Sequence, residues 1–189
     1  MQMKNLLNSN NTLCLIIDVQ EKLMLTIHNQ SELERNILFL LQGLEILNIP
    51  FLITEQYPKG LGKTIPSIGK LTQKSKTFEK TEFSAWLNPA IKNELIALDK
   101  KQIILIGIES HVCVLQTAFQ MLRHGFEIFI PQECVSSSTA VKKQNAIDRI
   151  QNSGGTITNS ESCFFEILET SNHEKFKAIS ALLKNKTNS

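Results

Sequence analysis

Short apolar runs alternate with longer amphipathic segments along this chain. An apolar run of four or five residues is too short for a buried helix and predicts a strand covered on both faces. Four such runs lie at residues 13–17, 51–54, 102–106 and 127–131, and two weaker ones at 75–79 and 156–158. Six strands separated by helical segments predict an α/β fold with a mainly parallel six-stranded sheet, doubly wound with helices on both faces.

The helical segments have apolar residues at helical spacing. They lie at residues 31–47, 89–98, 114–124, 138–153, 160–168 and 173–183. Ser31, with Glu34 three residues later, predicts a capping box at the first of these helices. Residues 57–69 are rich in Gly and Pro and predict a loop.

Length and composition fit one globular domain over residues 1–189, with its core at about 12–184. Of the 189 residues, 42% are hydrophobic and 20% are charged, enough for a sizeable core. The net charge of +2, from 20 basic and 18 acidic residues, is no electrostatic footprint for nucleic acid. Residues 1–12 lack an apolar leader, so we expect a cytoplasmic protein with no membrane partner. Residues 184–189 are polar and are expected to fray.

The cysteines and histidines are widely spaced. With no CxxC, we expect Cys14, Cys113, Cys134 and Cys163 to be free thiols, with Cys14 and Cys163 in the core. The four histidines form no HxH or HxxxH pair, so no metal site is expected.

Cys113 lies in the most informative segment, Gly107 to Cys113 (GIESHVC). It follows a predicted core strand and opens a helix, where free N–H groups and the helix dipole favour a nucleophilic thiolate. Ser110 is the expected N-cap, accepting from the Cys113 N–H. The alternative is that Cys113 is a small buried apolar residue.

Two further reactive residues lie at ends of predicted strands. Asp18 ends the first strand, and Lys80 follows the third. Because parallel strands place their carboxyl ends at one edge of the sheet, both could meet Cys113, where Asp18 would accept the thiol proton and Lys80 would stabilise the thiolate. Asp18 could instead cap the following segment, and Lys80 could be a solvated lysine.

Three motifs resemble the isochorismatase-like cysteine hydrolases. They are residues 15–20 (LIIDVQ), 79–85 (EKTEFSA) and 107–117 (GIESHVCVLQT), followed by 134–138 (CVSSS). Residues 54–62 (TEQYPKGLG) and 173–184 (HEKFKAISALLK) are similar to the isochorismatase domain-containing subgroup.

The resemblance implies the strand order 3-2-1-4-5-6 and a triad of Asp18, Lys80 and Cys113. It also implies a cis peptide between Ile108 and Glu109, which would direct the N–H groups of Glu109 and Cys113 at an oxyanion. Candidate pocket residues are Gln20, Tyr57, Phe83, Trp86 and His111. For Phe83 and Trp86 the alternative is core packing, and His111 could equally pack at the helix start.

This chain departs from the family pattern at two places. Ser110 replaces the usual Thr, with little expected effect because both cap helices. The Asp-x-His of the zinc-dependent nicotinamidase branch is missing from residues 55–62 (EQYPKGLG), so we expect no metal, no cofactor and no nicotinamide substrate.

The predicted function is hydrolysis of a small amide-type substrate through a thioacyl-enzyme. Vinyl-ether hydrolysis in the family does not require the cysteine, so the retained Cys113 favours covalent chemistry on an acyl group. One alternative is a non-catalytic interaction scaffold, and another is a thiol redox sensor that would need Cys134 as a resolving cysteine. As in the family, a homo-oligomer is expected.

Overall fold

A computed structural model describes residues 6–187, and within them six strands form one parallel sheet. The strands are β1 (Thr12–Ile17), β2 (Phe51–Gln56), β3 (Lys76–Lys80), β4 (Gln102–Gly107), β5 (Glu127–Pro131) and β6 (Thr156–Thr158). Their order is β3-β2-β1-β4-β5-β6, and each neighbouring pair is parallel. The predicted fold class and strand order are confirmed.

Helices connect the strands and cover both faces of the sheet. Over the described residues they are α1 (Glu21–Met24), α2 (Gln30–Ile46), α3 (Pro58–Leu61), α4 (Pro66–Leu71), α5 (Pro89–Ala97), α6 (Leu115–Arg123), α7 (Ala140–Asn152), α8 (Ser160–Leu168) and α9 (Phe176–Thr187). None of them is long and apolar enough to cross a membrane.

The core has one layer on each side of the sheet, and β1 contributes to both. Cys14 and Ile16 join the layer formed with α2, α8 and α9. Leu13, Leu15 and Ile17 join the layer formed with α5, α6 and α7. Successive residues of a strand face opposite sides, so burial on both faces requires the continuous apolar run seen in the sequence.

The predicted capping box at residues 31–34 is wrong. Helix α2 begins at Gln30, after a left-handed Asn29 whose side chain makes no capping hydrogen bond. Ser31 therefore already lies inside the first turn. The Glu34 carboxylate is 2.6 Å from the Ser67 hydroxyl, which donates to it. Glu34 thus bonds to a residue of another segment of the chain and not to the start of its own helix.

Two other local predictions need correction. Residues 57–69 are no continuous loop, because Pro58 and Pro66 each begin a short helix, α3 and α4. Proline suits the first helical position, where its missing N–H costs nothing. Residues 184–187 are helical and extend α9. Residues 1–5 and 188–189, on which parts of the leader and tail predictions fall, lie outside the described residues.

Gly107 lets β4 run close to β1 at the carboxyl edge of the sheet. Its φ of +112° suits glycine, and a Cβ there would lie 2.0 Å from the Ile17 carbonyl oxygen. That oxygen accepts a hydrogen bond of 2.9 Å from the Ile108 N–H. The chain that follows β4 is thereby held against the residue that follows β1, which is Asp18.

Candidate active site

Asp18 and Lys80 form a buried ion pair at the carboxyl edge of the sheet. Asp18 directly follows β1, and Lys80 is the last residue of β3. The Lys80 Nζ is 2.6 Å from the Asp18 Oδ2, and both side chains are fully buried. A buried ion pair requires further hydrogen bonds to satisfy both charged groups.

Those further bonds come from β2, which lies between β1 and β3. The Thr54 hydroxyl donates to the Asp18 Oδ1 at 2.6 Å. The Lys80 Nζ also donates to the Gln56 Oε1 at 2.7 Å and to the Glu82 carbonyl at 3.2 Å. An ammonium has three protons. Lys80 therefore has a hydrogen-bond acceptor within the protein for each of its protons.

Cys113 lies in a wide helical turn, Ser110–Val114, which links β4 to α6. The predicted cap at this turn is wrong: the Ser110 hydroxyl donates to the Ser136 carbonyl at 2.7 Å, and the Ser110 N–H bonds to the same oxygen. Ser110 anchors the turn to the segment after β5. It does not accept from the Cys113 N–H.

The Cys113 thiol lies against the buried ion pair. Burial, and then the Asp18 charge, raise the pKa of Cys113 to about 12, and Lys80 opposes the shift. This outcome differs from the expectation that the start of a helix would favour the thiolate, because desolvation outweighs the dipole. The resting thiol is protonated at neutral pH, so nucleophilic attack by Cys113 requires a base.

The other three cysteines are less accessible than Cys113. Cys14, Cys134 and Cys163 are free and fully buried, whereas Cys113 is 7% exposed. Burial also raises the pKa of each of these thiols above its usual value. The core positions predicted for Cys14 and Cys163 are confirmed.

We expect an alkylating reagent to label Cys113 selectively, at a rate that still rises at high pH. The thiolate is the reactive form, so a raised pKa makes the rate climb about tenfold per pH unit between about pH 7 and pH 10. Mass spectrometry of the labelled protein gives both the site and the rate. Cys113→Ala is the control and should label little while the protein stays folded. A rate that levels off near pH 9, the behaviour of an unperturbed thiol, would contradict the prediction.

The peptide bond between Ile108 and Glu109 is cis. The Glu109 carboxylate accepts from the Ser138 N–H at 3.1 Å. His111, which is half-buried, places its Nδ1 3.0 Å from the Ser137 hydroxyl. Both side chains of this turn therefore contact the segment after β5. The oxyanion role of the Glu109 and Cys113 N–H groups stays a prediction.

The five candidate pocket residues fall into different environments. Tyr57 and Phe83 are more than half exposed. They flank Lys80: its carbonyl accepts from the Tyr57 N–H at 2.9 Å, and its Nζ is 3.5 Å from the Phe83 carbonyl. Gln20 is fully buried. Its side-chain amide donates to the Gln56 carbonyl and accepts from the Gln56 N–H.

Trp86 is buried in the same core layer as Cys113. Its ring is 5% exposed and packs against His124 and Phe126, with centroid distances of 4.7 and 5.2 Å. Those two residues directly follow α6, and Phe126 belongs to the same core layer. The core-packing alternative describes Trp86.

Sequence reasoning missed Thr54 and Gln56, two residues of β2 that form hydrogen bonds with Asp18 and Lys80. The available signal was a polar stretch, residues 54–56, at the carboxyl end of an apolar strand. Alternate residues of a strand share a face, so Thr54 and Gln56 face the same way. Among the described residues, no group of three or more His, Cys, Asp or Glu side chains could hold a metal ion.

The sheet order shows a doubly wound α/β fold, and the comparisons with known proteins identify the class as an isochorismatase-type hydrolase. The chain belongs to the isochorismatase family, since residues 12–162 match the isochorismatase domain. Isochorismatase domain-containing protein 2 of Danio rerio is 36% identical over 178 residues, which cover 94% of this chain and 89% of that protein. Isochorismatase domain-containing protein 1 of Salmo salar is 39% identical over 146 residues, which cover 77% of this chain and 51% of that protein.

Solved structures share this fold. The structure of MAR1 ribonuclease from Caenorhabditis elegans has a TM-score of 0.88 and 33% identity, covering 94% of this chain and 92% of that one. The YcaC gene product from Escherichia coli, described as an octameric hydrolase of unknown specificity, has a TM-score of 0.92 at 20% identity. It covers 98% of this chain and 92% of that one and shows the fold alone.

Proposed function

We propose that this protein is a cysteine hydrolase of small C–N substrates such as amides. The observation that carries the proposal is the fully buried Asp18–Lys80 ion pair beside the only cysteine that solvent reaches among the described residues. A buried ion pair is a poor source of stability, because desolvation offsets its attraction. A thiol next to a carboxylate that can accept its proton is a recognised catalytic arrangement.

The proposed first step forms a thioester. The Cys113 sulfur attacks the substrate carbonyl carbon while its proton passes to the Asp18 carboxylate. The N–H groups of Glu109 and Cys113 would stabilise the oxyanion. Asp18 then gives the proton to the leaving nitrogen, the C–N bond breaks, and an amine departs.

The second step hydrolyses the thioester. A water molecule attacks the acyl carbon and passes a proton to Asp18, the C–S bond breaks, and a carboxylic acid leaves. Asp18 returns that proton to the departing Cys113 sulfur, which restores the thiol and the carboxylate for the next cycle. Lys80 donates to the Asp18 carboxylate at 2.6 Å and so holds it in position between proton transfers. Because Cys113 is only 7% exposed, we expect a small substrate.

The alternatives have less support. A redox sensor would need a resolving cysteine, but Cys134 packs in the core layer on one face of the sheet and Cys113 in the layer on the other face. A scaffold gives no reason for the buried ion pair. Ribonuclease activity, named for the Caenorhabditis elegans neighbour, would bring a polyanion to a chain whose net charge is only +2.

A substrate screen tests the proposal. Purified protein is incubated with small primary amides, carbamates and ureido acids, and with single-stranded RNA. Amine release that depends on Cys113 is expected for at least one C–N compound. RNA cleavage with no C–N hydrolysis would overturn the proposal. The other expectations, a single-domain homo-oligomer in the cytoplasm with no nucleic acid or membrane partner, stay predictions.

We also expect activity without zinc. The predicted site chemistry uses a carboxylate, an ammonium and a thiol, and residues 55–62 lack the Asp-x-His that binds zinc in the nicotinamidase branch. Elemental analysis should find less than about one-tenth of a zinc ion per chain, and turnover should survive a chelator. Loss of turnover on chelation, restored by added zinc, would contradict this prediction.

A further inference from the structure

A cleft of about 230 Å³ lies between the first turns of α2 and α7, next to the proposed active site. Its polar lining comes from three segments of the chain and includes His28, Glu32, Asn36, Glu133, Ser136 and Lys143. The proposed catalytic residues do not line it.

One short segment separates this cleft from the Cys113 turn. The Ser136 carbonyl accepts from the Ser110 N–H and hydroxyl on the active-site side. The Ser136 hydroxyl donates to the His28 carbonyl at 3.1 Å, on the side of the cleft. The Ser136 segment therefore contacts both the cleft and the Cys113 turn, and Cys113 is not among the residues that line the cleft.

Side chains of opposite charge line the cleft but form no salt bridge with each other. Lys143 is half-buried and forms no salt bridge within 4.0 Å among the described residues, yet it interacts electrostatically with Glu32 and Glu133. Burial lowers the pKa of Lys143, while those carboxylates oppose the shift. Removing an ammonium group from water without giving it a directly bonded counter-charge costs free energy.

The acidic side is held in place independently of Lys143. The Glu133 Oε1 accepts from the N–H and the hydroxyl of Ser160, each at 2.6 Å. Glu32 accepts from the Asn29 side chain at 3.3 Å. Both carboxylates therefore have hydrogen-bond partners other than Lys143.

We propose that the cleft binds a small zwitterion of amino-acid type. Its carboxylate would contact the Lys143 ammonium, and its ammonium would contact the Glu32 and Glu133 carboxylates. Each ligand charge would then meet a protein group of opposite sign that has no direct ionic partner across the cleft. A volume of about 230 Å³ can hold a molecule of this size.

The test uses probes that differ in charge pattern. Glycine, β-alanine and γ-aminobutyrate are zwitterions with increasing charge separation, while propionate and propylamine each carry one of the two charges. Protein amide signals are followed by NMR during titration of the intact chain. At least one zwitterion should bind with a Kd of about 1 mM or tighter and shift signals near Ser136 and Lys143. The single-charge probes should bind at least about tenfold more weakly.

Two variants locate the contacts. Lys143→Gln and Glu32→Gln should each weaken binding of the best zwitterion about tenfold or more, the scale of losing a hydrogen bond to a charged group. The matched control is Lys142→Gln. Lys142 is exposed and donates to the Ser138 hydroxyl at 2.9 Å, so binding should not change.

Three results would overturn the proposal. They are no zwitterion binding at about 20 mM, equal binding of propionate or propylamine, and equal loss in the Lys142 and Lys143 variants. The readout is binding and not turnover. Failure of this proposal is therefore distinct from failure of the proposed hydrolase activity.

Discussion

Replacing Cys113 with alanine is expected to reduce turnover of an accepted C–N substrate at least about 10⁴-fold, the scale of losing a catalytic nucleophile. The fold should survive, because the change removes one sulfur atom from a turn held by Ser110 and by the backbone at Ile108. Steady-state kinetics measure the first effect, and thermal unfolding measures the second.

A buried thiol elsewhere provides the control for Cys113. Cys163 lies in α8, in the core layer on the other face of the sheet from Cys113. Cys163→Ala should lower the free energy of unfolding but leave turnover within a few-fold of wild type. If Cys113→Ala keeps turnover within tenfold, the sulfur is not the nucleophile, and a water-based mechanism would have to replace the thioacyl-enzyme.

Asp18→Asn is expected to have opposite effects on turnover and on thiol labelling. Turnover should fall at least about 10²-fold, because an amide cannot accept the thiol proton. Labelling of Cys113 near pH 7 should become faster, because the Asp18 charge raises the pKa of this thiol and its removal lowers that pKa. A variant that was merely unfolded would label all four cysteines, so the two measurements separate the roles.

The cost to stability must be measured alongside. The substitution leaves the Lys80 ammonium buried without a counter-charge, which costs about 3–5 kcal/mol. Thr54→Val is the matched control, since it removes the hydroxyl that donates to Asp18 but keeps the carboxylate. We expect it to change turnover less than tenfold. If folded Asp18→Asn protein turns over within a few-fold of wild type, Asp18 is structural and another group is the base.

The sheet could be predicted from sequence because its signal is long and repeated. Parallel strands buried on both faces have nearly continuous runs of apolar residues, so residues 13–17 and 102–106 strongly indicate such strands. The meeting of Asp18 with Lys80 also followed, because both lie at carboxyl ends of parallel strands. The order of the strands came from the resemblance to a family and not from periodicity.

Predictions from local motifs were wrong at the two predicted helix caps. Ser31 and Ser110 both look like helix caps, yet the first lies inside its helix and the second bonds to Ser136, 26 residues away. The protonated state of the Cys113 thiol could not be predicted either. Its pKa is set by how deeply the whole fold buries the sulfur, whereas the sequence shows only its position at the start of a helix.

The placement of β1 in the middle of the sheet has a consequence for folding kinetics. Thr12 of β1 pairs with Gln102 of β4, 90 residues away along the chain. Such long loops are entropically expensive to close, and sheets built from distant pairings fold slowly. Asp18 meets Cys113 only once this pairing exists. During refolding, protection of Cys113 should therefore develop late, after the helices have formed.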